Sequence, residues 1–440
     1  MRRMRRVISL VLVAAVIAVL PASCGKSRRS GAPPVTFRIM SWNEDFRDLM
    51  ETYFIPRHPE LMENVTVEWV IDEINAYQSS VQRRLANGEQ IDLFLGDNET
   101  APFFAANENV ASLAELGIQD SELSHQFAFT RTLGSSADGV QKGSAFAAEP
   151  GILLYRSDYA EKYFGITSRE EMQEKLSSWE TFISTARTLN EKSDGKVKML
   201  PNSAELWKSV DCAMSGRWLK DGKLAVSDDT AAYWLNTVKE LESVGAFANV
   251  KTLDDKWYNA IDSGVFCFYA SPWLCKGTPS DSAGITTIFS SSRSRGASFG
   301  RFKTSLAPGG FVYGGSWLYC PKSSSHKDLA AAIIRAFTAD AAFMKLVALA
   351  EMQYVNHDAV CEEIGAMQIG NPLFDGLDAF SVYTAAAKGL ELAIPTVYDS
   401  SVSQSLYDQA KDYGKGKIRL SDATAKFRTS VRKKHEEIMP

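Results

Sequence analysis

Gly143-Ser-Ala-Phe-Ala-Ala-Glu-Pro-Gly-Ile-Leu-Leu-Tyr155 is the stretch on which this chain turns. Small residues lead into Glu149-Pro150-Gly151, and an apolar run from Ile152 to Tyr155 follows as a strand. Proline fixes its own φ and biases Glu149 towards extended geometry, while the glycine relaxes what comes next. The segment is built for an extended crossing and not for a helix. One α/β unit precedes it from Val35 and another starts after it. The chain therefore reads as two lobes around one groove, with Glu149 at the floor.

Upstream, Thr36 to Trp42 alternates as a strand, and Asn43 caps a helix over 44–54 that Pro56 stops. Residues 64–71 form a second strand, 74–87 an amphipathic helix closed by Gly88, and 91–95 a buried third strand. This alternation predicts right-handed crossovers and a largely parallel sheet. Ligands gather beyond the carboxyl ends of such strands, so Trp42-Asn43 and Asp97-Asn98 should face one crevice. Downstream, helices are expected over 157–164, 179–190 and 229–245. Residues 201–207 read as a polar and aromatic loop. The strand 265–269 delivers Ala270-Ser-Pro-Trp273. A second crossing runs from Phe311 through Gly314-Gly315 to Trp317, followed by one long helix over 328–348. A helix over 377–390 and a last helix over 421–438 are expected to complete the pattern.

The chain has 440 residues, 45% hydrophobic and 23% charged, enough for two or three domains. Its first 24 residues carry four arginines and no acid, so the remainder balances 44 basic against 53 acidic residues. That mildly acidic body argues against nucleic acid as a partner. The basic start, the apolar run from Val7 to Leu20 and Ala22-Ser23 before Cys24 look like a bacterial lipoprotein signal. Cys24 would then be the lipidated residue of a membrane anchor, and residues 25–35 a flexible tether. Five cysteines remain, an odd number with no metal-ligand spacing. Cys267 and Cys275 could pair across a turn, or all five could be buried small hydrophobes.

Five histidines are scattered without a cluster, and no phosphate loop is present. One GxSxG occurs, at Gly296 to Gly300, but a nucleophile elbow needs an apolar strand before its serine and this one follows Ser-Ser-Ser-Arg-Ser-Arg. The expectation is no catalytic residue, no metal and no cofactor. What stands out is aromatic residues at strand ends and crossings: Trp42, Trp207, Tyr269, Trp273 and Trp317. Aromatic faces suit the C–H faces of sugar rings, and Asp97, Asn98, Glu149 and Glu205 would bond to hydroxyls. Each tryptophan is as readily a core residue; their shared placement is the argument.

On Gly143 to Asp158, Ser178-Trp179-Glu180-Thr-Phe182, Ser271-Pro272-Trp273 and Gly314 to Trp317, the chain resembles the sugar-binding solute-binding proteins of ABC importers. The likeness spans nearly all the chain after Cys24. It implies an α/β, two-lobed periplasmic-binding-protein-like fold, each lobe a mainly parallel sheet flanked by helices, with the ligand cleft at the hinge. The lobes would be 36–147 with 316–372 returning, and 148–315 with 373–440 returning. Trp42, Asn43 and Asp97 look like first-lobe ligand contacts. Glu149, Glu205, Trp207 and Trp273 look like second-lobe contacts, with Trp317 at the second crossing. The departures are Ala147-Ala148 in the first crossing and Leu176-Ser-Ser before Trp179, and they leave the ligand class open. The implied protein is a monomer that delivers a small polar solute, above all a carbohydrate, to a membrane permease. It would sit on the periplasmic or extracellular face. A sensory or adhesive lipoprotein and an exported hydrolase are the alternatives.

Overall fold

A computed structural model describes residues 34–275, 300–370, 374, 376 and 378–438. The expected signal and Cys24, most of the tether, Ser298 of the GxSxG and the expected lobe boundary at 372–373 lie outside these residues. Among the described residues ten strands follow in chain order: β1 Val35–Ser41, β2 Val65–Ile71, β3 Leu93–Gly96, β4 Ser144–Ala147, β5 Ile152–Arg156, β6 Leu219–Lys220, β7 Lys223–Leu224, β8 Cys267–Ala270, β9 Phe302–Ser305 and β10 Ser316–Tyr319. They make a five-stranded sheet ordered β2-β1-β3-β10-β4, a three-stranded sheet ordered β8-β5-β9 and a small β6–β7 hairpin. From Thr36 onward the chain is one compact unit containing both larger sheets.

Period-two alternation sorts the strand residues between cores. Leu93 and Leu95 of β3 and Leu318 of β10 enter the cluster under the helix Lys327–Thr338. Phe94, Trp317 and Tyr319 from the same strands enter a second cluster, which continues into Ile152, Leu154 and Phe268 of the other sheet. Leu153 and Tyr155 turn to the opposite face of β5, onto the helix Trp179–Lys192 and the C-terminal helices. The middle cluster thus runs through the joint between the sheets. The crossing at 147–152 lies in it, bridged to Val312 through Pro150 and to Val355 through Ala147.

Several expectations are corrected. In the first sheet β1 and β3 are parallel, but β10 runs antiparallel to both β3 and β4. In the second sheet β5 is antiparallel to both neighbours, so that lobe is not built on a parallel sheet. β8 and β9 come from more than a hundred residues downstream of β5, and local patterning carries no information on their direction. The loop expected at 201–207 opens the helix Ser203–Met214, whose cap is Asn202 accepting from the Glu205 N–H. The long helix expected over 328–348 is two, Lys327–Thr338 and Ala341–Glu351. They break at Ala339-Asp340, where the Asp340 carboxylate accepts from the N–H groups of Ala342 and Phe343. The helices Ser157–Phe164 and Trp179–Lys192 stand where the sequence put them. No disulfide joins the five described cysteines, and four of them are buried.

Candidate functional site

The two crossings are laid side by side. Gly151 N donates to Phe311 O at 2.6 Å and Tyr313 N to Glu149 O at 3.0 Å. Gly151 faces the Phe311 ring so closely that a Cβ there would lie 2.1 Å from it. Gly314 and Gly315 have φ of +98° and +107°, which only glycine adopts without strain. Gly314 N also donates to Asn98 Oδ1 at 3.1 Å, tying the second crossing to the turn after β3.

Beside this joint lies a cleft of about 290 Å³. One wall is the turn Asn98-Glu99 with Pro102, Phe103 and Leu133, from the side of the first sheet. Trp207, Lys208, Asp211 and Ser215, along one face of the helix Ser203–Met214, make the opposite wall. Residues 392–404, running into the helix Asp399–Gly414, close a further side, and Val312 of the second crossing also lines the space. The rings of Phe103, Trp207 and Trp218 supply apolar surface.

The polar lining is mostly acidic. Asp211 is exposed towards the cleft yet surrounded by protein, and the resulting loss of water pushes its carboxyl up while Ser403 Oγ, donating to it, works the other way. Trp207 Nε1 donates to the same Ser403 Oγ at 2.9 Å, so indole, hydroxyl and carboxylate form a chain. Glu99, also exposed on the cleft side, is raised by loss of water and then by the charge of Asp97. Asp399 accepts from Gly216 N at 2.6 Å and Thr396 Oγ1 at 2.6 Å, and burial raises it. The one lysine, Lys208, lies with Nζ 4.0 Å from the centre of the Tyr313 ring.

Of the residues singled out in the sequence, Trp207 and Asn98 line this cleft. Trp42 is half-buried, edge-on to Tyr77 at 5.4 Å. Asn43 is spent on Asp45, donating from Nδ2 to its carboxylate at 2.7 Å. Asp97 Oδ1 accepts from Thr100 N at 2.8 Å and Glu99 N at 3.1 Å, shaping the turn that carries Glu99. Glu149 is buried at the joint and accepts from Trp273 N at 2.6 Å, while the Trp273 side is 46% exposed. Glu205 is wholly enclosed, accepting from Trp257 Nε1 at 2.6 Å, Tyr269 N at 2.9 Å and Thr252 Oγ1 at 3.3 Å. Burial pushes its carboxyl up to about 7, against those hydrogen bonds. Trp317 is likewise wholly buried, donating from Nε1 to Thr130 O at 2.9 Å. In this conformation the buried side chains of Glu205 and Trp317 offer a ligand no surface.

Glu99, Lys208, Asp211 and Asp399 were not visible as site residues. Reading 203–214 as a helix would have exposed the signal, because Trp207, Asp211 and Ser215 then share one face at i, i+4, i+8. The scattered histidines also hide a grouping. His125 and His357 stack at 4.7 Å with rings 9° apart, beside Asp358, and the three could in principle hold a cation. None lines the cleft. Nearly parallel rings do not aim their in-plane lone pairs at one point, and His357 Nδ1 accepts from Val360 N as a helix cap.

Residues 60–357 match the family of bacterial extracellular solute-binding proteins. No curated protein matches the chain. Among solved structures it is similar to an extracellular solute-binding protein of family 1, at 18% identity and TM-score 0.77, covering 91% of this chain and 99% of that one. It is also similar to the galacto-N-biose/lacto-N-biose I-binding protein of the ABC transporter of Bifidobacterium longum, at 14% identity and TM-score 0.67, over 92% and 98%. A third is the GacH receptor of Streptomyces glaucescens, solved unliganded and with acarbose, at 13% identity and TM-score 0.66, over 92% and 99%. These likenesses bear out the two-lobed α/β architecture.

Proposed function

Since the chain belongs to the bacterial extracellular solute-binding proteins, we propose that it captures a small polar solute, above all a carbohydrate, for an ABC importer. The observation that carries this reading is the cleft whose walls come from the sides of both sheets and whose edge is the second crossing. Aromatic rings and unpaired polar groups face the same space, the combination that holds a hydroxylated ring. Relatives of the same fold bind lacto-N-biose and acarbose, which favours a sugar here. Capture is by closure: contacts from both walls are made together only when the walls approach, so solute stabilises the closed state. The crossings at 147–152 and 311–316 supply the bend, with the φ of Gly314 and Gly315 open to change. Binding needs no covalent step. Lipidation at Cys24 would hold the protein at the membrane face from which a permease takes the solute.

A thermal-shift panel of mono- and oligosaccharides, polyols and amino acids against residues 34–438 tests the reading. At 100 times its dissociation constant a solute adds about 2.7 kcal/mol of stability. A sugar that raises the melting temperature, and does so at least tenfold less potently in Trp207→Ala, is the expected outcome. Response to amino acids alone would leave solute capture standing and remove the carbohydrate.

A further inference from the structure

The cleft has an unusual electrostatic balance. Three carboxylates line it, Glu99 from one wall, Asp211 from the opposite wall and Asp399 from the further side, against the single cation Lys208. Lys208 forms no ion pair among the described residues and lies over the Tyr313 ring. Asp399 is occupied by Gly216 and Thr396. The Glu99 side chain has no hydrogen-bond partner among the described residues, and Asp211 has only the Ser403 hydroxyl. Both are exposed on the cleft side. Their charges already act on one another across the gap, since Glu99 disfavours ionisation of Asp211, as Asp399 does from its own wall. Asp97 does the same to Glu99, and Lys208 opposes both effects.

Closure brings Glu99 and Asp211 nearer and removes water from between them. Like charges moved together in a drying cleft repel more strongly, so either a proton or a cation must enter with the solute. We propose that the solute carries a protonated nitrogen on its hydroxylated framework, and that Glu99 and Asp211 close on that nitrogen from opposite walls. The rings of Phe103 and Trp207 on these two walls add faces that attract a cation. This inference rests on the cleft being the solute site, and it names the class of solute.

Matched pairs test it: glucose against glucosamine, and cellobiose against the glucosamine disaccharide, with spermidine as an amine lacking a sugar ring. Titration calorimetry is run at pH 5, 6 and 7 on residues 34–438. The expected result is at least tenfold tighter binding of the amine-bearing sugar at pH 7. That advantage should fall towards pH 5 as the carboxylates take up protons, and disappear in both Glu99→Gln and Asp211→Asn. Each variant should melt within a few degrees of the parent, so loss of fold is excluded as the cause. Neutral sugars binding as tightly as or tighter than their amine partners would overturn the inference and leave carbohydrate capture intact. Spermidine binding with no sugar response would uphold the cation-binding cleft and remove the sugar framework. Silence from every probe would remove both.

Discussion

Glu205 gives the sharpest test of the packing behind the cleft. Its carboxyl is wholly buried, and burial raises it from the usual 4.5 to about 7. A group that binds its proton more tightly when folded stabilises the fold fully below the unfolded value, and loses that contribution as pH rises through the folded value. The window is therefore pH 4.5 to about 7, and stability falls across it as pH increases. At about 1.4 kcal/mol per pH unit the interval is worth roughly 3 kcal/mol, or some 3–4 °C for a domain of this size. Asp211, Glu99 and Asp399 are raised too and add slopes of the same sign, so the parent alone is uninformative. The quantity to measure is the parent minus Glu205→Gln. Glutamine cannot ionise, and it turns its amide towards either the Trp257 indole or the Tyr269 N–H. Urea unfolding followed by tryptophan fluorescence between pH 5 and 8 should show this difference shrinking by roughly 3 kcal/mol as pH rises. A difference that stays flat, or grows, would mean that Glu205 is ionised in contact with water, and would refute the enclosed wall.

Gly151→Ala drives a methyl into the Phe311 ring and should cost about 1–3 kcal/mol in urea unfolding; a change below about 0.5 kcal/mol would show that the crossings are not packed together. Asp340→Ala removes the cap at the break between two helices and should cost about 1 kcal/mol, whereas unchanged stability would favour one continuous helix. Cys24→Ala should move the protein from the detergent-soluble membrane fraction to the soluble fraction of cells, and continued membrane retention would remove the lipid anchor. Trp273→Ala should weaken sugar binding at least tenfold with little effect on melting, since the side chain is 46% exposed; unchanged affinity would place its ring outside the closed site.

What the sequence disclosed was local in origin. Pro150 and Gly151 announced the crossing, and Ser178 and Ser227 mark helix starts through hydroxyls that accept the N–H three residues on. Apolar runs named the buried strands β3 and β5, which are buried at every position. The strand directions of the second sheet depend on partners far along the chain, so they were misjudged. The same holds for the site. Glu205 was chosen because a carboxylate in a polar stretch suggests a ligand, yet Trp257 and Tyr269, distant in sequence, enclose it. Asp211 went unnoticed because 201–207 was read as a loop, which hid the helical face that presents Trp207, Lys208 and Asp211. Trp317 shows that an aromatic at a crossing can equally be a core residue.

Closure on solute is the central claim, and small-angle X-ray scattering of residues 34–438 measures it directly. With a saturating sugar from the panel, the radius of gyration should fall as the two walls meet. A sugar that binds by calorimetry while the scattering curve stays the same would contradict capture by closure.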